Sequence, residues 1–177
     1  MITLDLDGTL LDYNYLPGRM PQLNYDLVDR LYFDANTTGN RFVSIVTNQG
    51  GLPFGMRRLA AIDGRPYPHP TIFVVRLFAV VTALARYDLK VDSIRVCLYH
   101  PRANADDVER VAQVLRPMLS FFENTVVYTT AKARKPSPLM LKSVGATCYY
   151  GDSDEDAAAA QAASIPFYRV TRFYRGD

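Results

Sequence analysis

Short apolar runs rich in β-branched residues alternate along this chain with stretches whose apolar residues recur every three or four positions. The first kind reads as buried strands and the second as amphipathic helices. Strands are predicted over residues 2–6, 42–46, 93–99, 125–129, 146–150 and 167–170. The second run is apolar apart from Ser44, as a strand covered on both faces should be. Leu27, Val28, Leu31, Tyr32 and Ala35 form one helical face, which Thr37-Thr38-Gly39-Asn40 ends. Phe73, Val74, Leu77, Phe78, Val81, Leu84 and Ala85 mark a second helix, reached through a Gly- and Pro-rich loop from Asn48 to about Pro70. Asn104 is placed to cap a third, with Asp106 and Asp107 at its positive end, and Pro117 is expected to end or kink it. Ser137-Pro138 opens a short helix, and residues 154–163 form another.

Strands alternating with helices predict an α/β fold, a Rossmann-like doubly wound parallel sheet covered on both faces. In such sheets the functional site lies beyond the carboxyl ends of the strands. The polar residues that follow the strands should therefore form one chemically sensible set. They are Asp5, Asp7, Gly8 and Thr9; Thr47, Asn48, Gln49 and Gly50; Lys132, Arg134 and Lys135; and Gly151, Asp152, Ser153 and Asp156. Carboxylates crowded in this way repel unless a cation neutralises them, and oxygen-only ligands select Mg²⁺. The lysine and the threonine hydroxyl suit phosphate oxygens, and Gly8 and Gly50 let backbone N–H groups approach closely.

Composition changes this picture little. The chain has 177 residues, enough for one domain with a real core, and 49% hydrophobic with 21% charged residues excludes a disordered or fibrous chain. A net charge of +2 neither demands nor forbids a polyanionic partner. Cys97 and Cys148 sit in apolar runs and read as buried free thiols, which fits a reducing, cytoplasmic location. No signal-like start is seen. The longest apolar stretch, residues 72–85, is interrupted by Arg76 and too short to span a bilayer, so no membrane role is expected.

The order DLDGT (5–9), VTNQGG (46–51), RKPSP (134–138) and GDSDEDAAAA (151–160) resembles the four motifs of the haloacid dehalogenase (HAD) phosphatase superfamily, nearly end to end. TNQGG paired with RKPSP looks like the branch that holds histidinol-phosphate, heptose-bisphosphate and polynucleotide 3′-phosphatases. The resemblance implies Asp5 as a nucleophile that becomes an aspartyl phosphate, and Asp7 as general acid/base. It implies Mg²⁺ held by Asp5, the backbone carbonyl of Asp7, and Asp152, with Asp156 in the outer shell or orienting the lysine. Thr47 and Lys135 match the phosphate clamp, to which Asn48 adds a contact. Lys135 is preferred over Lys132 and Arg134 because it directly precedes Pro136, which leaves Arg134 for the substrate. The heptose branch also carries a structural zinc. Here Cys97 and His100 have no cysteine partners between residues 125 and 135, and two ligands do not close a tetrahedral site.

Family members differ mainly in the cap over the site. Here a short flap (about residues 9–24) and a small insertion (about 49–69) imply a single domain with a minimal cap and an open cleft. The expected activity is Mg²⁺-dependent hydrolysis of a phosphomonoester, either a nucleic-acid or nucleotide terminal phosphate or a small sugar or metabolite phosphate. A phosphotransferase and a catalytically weak phosphate-binding protein are the alternatives. Arg57, Arg58, Arg65 and Arg19 are candidates for contacts beyond the phosphate. Tyr168, Arg169, Arg172, Phe173, Tyr174 and Arg175 interleave charge with aromatic rings, a pattern suited to a nucleic-acid strand. Ordinary exposed arginines are the simpler reading there.

Overall fold

A computed structural model describes residues 1–12, 21–58 and 67–171. Six strands form one sheet: β1 (Ile2–Leu4), β2 (Phe42–Asn48), β3 (Lys90–Cys97), β4 (Thr125–Tyr128), β5 (Cys148–Gly151) and β6 (Phe167–Arg169). Their spatial order is β4-β3-β2-β1-β5-β6, and every neighbouring pair is parallel. The chain builds outward from β1 to β4 on one side, then crosses to β5 and β6 on the other. The connections diverge at β1, so a crevice opens beyond its carboxyl end. The predicted doubly wound sheet is the one observed.

The helices are α1 (Tyr25–Thr38), α2 (Leu52–Met56), α3 (Pro70–Arg86), α4 (Ala105–Leu119), α5 (Leu139–Ser143) and α6 (Asp154–Ala163). Asn24 caps α1: its side-chain oxygen accepts from Leu27 N at 3.2 Å, and its amide donates to Thr9 O at 3.0 Å. The same residue thus starts the helix and ties it to the loop after β1. Gly39, at φ +73°, ends it in the left-handed conformation. Ser153 and Asp156 form a reciprocal capping box at the start of α6.

Three predictions need correction. Pro117 does not end α4, which runs on to Leu119. It sits in the last turn, where its missing N–H removes a single ladder bond, and its carbonyl accepts from Ser120. The Gly- and Pro-rich loop after β2 contains the short helix α2, opened by Pro53 in its first turn. On α3 the inward stripe is Phe73, Arg76, Leu77, Val80 and Leu84, while Phe78 is 57% exposed. The pattern had treated Arg76 as an interruption of an apolar face. The structure buries it, for a reason that lies in the site.

The central part of the flap (13–20), part of the insertion (59–66) and residues 172–177 lie outside the described residues. Arg19, Arg65 and the Arg172–Arg175 cluster fall there. Among the described residues, no helix is long and apolar enough to cross a membrane.

Candidate active site

Among the described residues, the crevice is an open cleft of about 450 Å³. It is lined by Asp5 and Asp7 after β1, Thr47, Asn48, Gly50 and Gly51 at and after β2, His100 after β3, Arg134 and Lys135 after β4, and residues 152–156 after β5. Five strand ends converge on it. The sequence had nominated four of these, and β3 adds His100.

Lys135 lies at the base of the cleft and is almost fully buried. Its Nζ donates to Asp5 Oδ1 at 2.7 Å, Asp156 Oδ1 at 2.6 Å and Tyr149 Oη at 2.9 Å. Burial alone would push the lysine pKa down, but the two carboxylates more than reverse this and hold it above its usual range. Of the three candidate cations, geometry selects Lys135. Lys132 is exposed, and Arg134 stands at the rim, where it donates to Tyr99 O at 3.2 Å and faces Glu155 at 3.7 Å.

Asp156 uses both of its oxygens within the protein. Oδ1 accepts from Lys135 and Tyr149, and Oδ2 from Ser153 N and Oγ. Despite burial, these donors hold its carboxyl below the usual range, with the lysine contributing most. This is the environment of a group that orients the lysine. Asp5 differs. Burial pushes its carboxyl up to about 8 against the pull of Lys135, and the charges of Asp156 and Asp7 add to the rise. A bare Asp5 therefore favours its protonated form.

Asp5, Asp152 and Asp156 each present a carboxylate oxygen, and these atoms lie within 4.8 Å of one another. Three buried carboxylates against one ammonium leave a net negative charge in a low-dielectric site. The donor set is all oxygen, so a hard divalent cation such as Mg²⁺ fits it in both charge and ligand type.

Thr47 is buried beside the cleft, and its hydroxyl accepts from Gln49 Nε2 at 2.9 Å. The same amide nitrogen donates to Asp7 Oδ2 at 2.6 Å. Asn48 braces Lys135: its oxygen accepts from Lys135 N at 3.1 Å and its nitrogen donates to Lys135 O at 3.3 Å. The same nitrogen reaches Glu155 at 3.2 Å. Asn48 thus lines the cleft, as expected, and also holds the lysine backbone. Gly8 is not among the cleft-lining residues. At φ +81° it turns the chain, and its N–H donates to Leu11 O at 2.6 Å. Gly50 does allow a close approach. A Cβ there would lie 2.8 Å from Tyr99 O and 3.0 Å from the His100 Cβ.

Tyr149 and Arg76 were missing from the set of site residues, and Gln49 stood in it without a role. Tyr149 is wholly buried in β5, and its phenol is held protonated, well above its ordinary pKa, by burial and by Asp5 and Asp156. Gln49 lies inside the TNQGG stretch, next to the residues that were chosen. Nothing local in the sequence marks Arg76. Of the arginines considered for substrate, Arg57 is instead paired with Asp107 of α4 at 2.7 Å. Arg169 is paired with Asp154 at 2.7 Å, and Tyr168 stacks on Tyr150. Burial raises the Cys97 thiol pKa, as expected of a core cysteine. His100 packs edge-on against Phe54, and its pKa is lowered by burial and by Arg134 and Arg102.

A scan against protein-family models finds no match, and neither does a search of curated proteins. The solved structures that resemble the chain include the following two. One is described as a HAD-like phosphatase from Mesorhizobium loti: 23% identical, TM-score 0.60, covering 93% of this chain and 68% of that one. The other is a D,D-heptose 1,7-bisphosphate phosphatase from B. bronchiseptica, in complex with magnesium and phosphate. It is 18% identical, with TM-score 0.61, covering 95% of this chain and 78% of that one. At these identities the likeness is one of architecture: the six-stranded parallel sheet and its flanking helices have the HAD-like fold.

Proposed function

We propose that this protein is a Mg²⁺-dependent phosphomonoester hydrolase that works through an aspartyl phosphate on Asp5. One observation carries the reading: a buried carboxylate, Asp5, sits between the Lys135 ammonium and two further aspartates at the floor of an open cleft. Asp5 and Asp152 would hold the ion, together with the Asp7 backbone carbonyl that the motif resemblance supplies. Held there, such an ion would withdraw charge from the phosphoryl oxygens and keep Asp5 ionised.

The chain's own groups then divide the work. An Asp5 oxygen attacks phosphorus as the P–O ester bond breaks. The bonding pair leaves with the ester oxygen, which takes a proton from Asp7. Water next attacks the aspartyl phosphate and gives its proton to Asp7. The Asp5–phosphorus bond breaks, and orthophosphate departs. Lys135 and Thr47 stabilise the phosphoryl charge through both steps. Asn48 and Asp156 hold the lysine in place, one by its backbone and the other by its ammonium.

The motif order and the small spans allotted to flap and insertion support a single domain with a minimal cap. An open cleft suits a phosphate at the end of a large substrate, such as a nucleic-acid strand, and equally a small sugar or metabolite phosphate. Arg134 and His100 at the rim are placed to meet whichever group carries the phosphate. The decisive test is phosphate release with Mg²⁺ from 4-nitrophenyl phosphate, a 3′-phosphorylated oligonucleotide and a panel of sugar phosphates, with an EDTA control. Mg²⁺-dependent release from any of them supports the reading, and the rate ratios name the substrate class. No release from any would overturn it.

Ion binding itself should depend on pH. With Asp5 raised to about 8 in the metal-free protein, Mg²⁺ must displace a proton at lower pH. The apparent affinity is expected to weaken by up to about tenfold per pH unit as pH falls below about 8. Calorimetric titration of Mg²⁺ at three pH values reads this directly. A pH-independent affinity would place the ion away from Asp5.

A further inference from the structure

Arg76 is 3% exposed on an otherwise apolar helix face, where leucine would serve packing better. Burying a guanidinium is costly unless partners meet it. Its partners lie on the loop after β1, far away in sequence. NH2 donates to the backbone carbonyl of Asp12 and lies 3.4 Å from Asp7 Oδ1, while NH1 is 3.7 Å from Asp12 Oδ1. The other oxygen of Asp7 accepts from Gln49 Nε2, as described above. The two oxygens of one carboxylate are therefore held by donors from two different elements, α3 and the end of β2.

We propose that Arg76 is a positioning residue for Asp7, forming with Gln49 a two-sided clamp that fixes the carboxylate in the orientation proton transfer requires. This rests on the reading of Asp7 as the acid/base. Each carboxylate oxygen keeps a second lone pair after accepting one hydrogen bond, so a clamped Asp7 can still carry and return a proton. A proton donor must sit within hydrogen-bond reach of the leaving oxygen, and later of the attacking water. An orientation error of about 1 Å can cost on the order of 10²-fold. The clamp also explains a feature that packing does not: a buried cation in α3 aimed at the loop that carries the reacting groups.

The experiment compares Arg76→Lys and Gln49→Met with the wild type in rapid-mixing assays with Mg²⁺. 4-Nitrophenyl phosphate, whose leaving group needs little protonation, is set against a simple alkyl phosphate, whose leaving group needs it fully. Arg76→Lys keeps the charge that Asp12 faces but cannot offer the planar fork that spans both partners. With the aryl ester, the first release of nitrophenol should stay within about threefold of wild type. Steady-state turnover should fall about 10–100-fold, because the water step still needs Asp7. A nitrophenol burst near one equivalent then appears, and acid-quenched phosphoenzyme accumulates. Alkyl phosphate cleavage should fall by the same 10–100-fold, about, with little change in KM. Gln49→Met should show the same separation, to a smaller extent.

A merely structural role predicts something different. The active fraction would drop, so burst amplitude and turnover would fall together while the rate per active site stayed constant. That result, or wild-type behaviour in both variants, overturns the proposal. If either variant fails to fold, the other carries the test. Asp7→Asn serves as the reference. If it keeps wild-type turnover, the acid/base reading itself is wrong, an outcome distinct from a failure of the clamp alone.

Discussion

On the proposed hydrolysis, an Asp5→Asn variant is expected to lose phosphate release by about 10⁴-fold or more while becoming more stable without metal. The amide cannot form the acyl phosphate, so the covalent route is closed. Its side-chain oxygen can still accept from Lys135, so the packing of the site survives. The stability change follows from the burial of Asp5. Its folded-state carboxyl is raised from 3.8 to about 8, above the unfolded value. Such a group contributes stability below the unfolded pKa and loses that contribution as pH rises through the folded one. In EDTA the wild-type protein therefore carries the full cost of ionising Asp5 above about pH 8, and the asparagine variant carries none. Thermal melts in EDTA should show the variant gaining most at about pH 8.5 and least at about pH 5. Mg²⁺ should raise the melting point of the wild type far more than that of the variant. A variant less stable than wild type at high pH would mean that Asp5 is ionised and well satisfied without a metal.

Lys135→Met is expected to damage both catalysis and stability. The ammonium is the one cation in hydrogen-bond contact with both Asp5 and Asp156 among the described residues. Removing one partner of a buried charge cluster leaves the rest uncompensated and costs about 3–5 kcal/mol. Removing a preorganised cation from the phosphoryl site costs about 10²–10³-fold in turnover. The pH dependence identifies the cause. Asp156 is held below its usual range and Lys135 above its own. A depressed carboxyl contributes stability above the unfolded pKa and loses it as pH falls; a raised lysine contributes it below the unfolded value and loses it only at higher pH. Both contributions are thus present at neutral pH, and both vanish in the variant. There, Asp5 and Asp156 are expected to take up protons as pH drops. The melting-point gap between wild type and Lys135→Met, measured in EDTA, should be wide at about pH 8 and narrow towards about pH 4. A gap that does not change with pH would mean that the lost methylene packing, and not the charge, was responsible.

The two variants pull in opposite directions from the same cluster. Asp5 is a group whose charge the folded protein tolerates poorly on its own, and Lys135 is the group that makes that charge bearable. A divalent ion held by Asp5 and Asp152 would complete the neutralisation. This is how a site stores unfavourable electrostatics that a ligand then relieves.

Most of the architecture was legible in the chain because it rests on local signals. Strand runs, the Asn104 cap and the stop at Gly39 all act within a few residues. Helix α6 matched its expected span, Asp154–Ala163. Asp5, Asp7, Thr47 and Asp152 line the crevice on which residues after parallel strands were expected to converge, and Lys135 was picked out by the motif resemblance. What each side chain does there was not legible. That the Asn48 side chain holds the Lys135 backbone depends on contacts between segments far apart in the chain. Arg76 is the clearest case. From sequence it is a break in an apolar stripe, because periodicity records only that a position faces inward. That an inward arginine meets Asp7 and Asp12 depends on where α3 crosses the loop after β1. The sequence by itself determined the elements, their order and the chemistry at the strand ends, since those follow from short-range sterics and the 2.0 and 3.6 residue periods. Only the tertiary structure decided which charges neutralise which, because that is a matter of through-space distance in a buried, low-dielectric site.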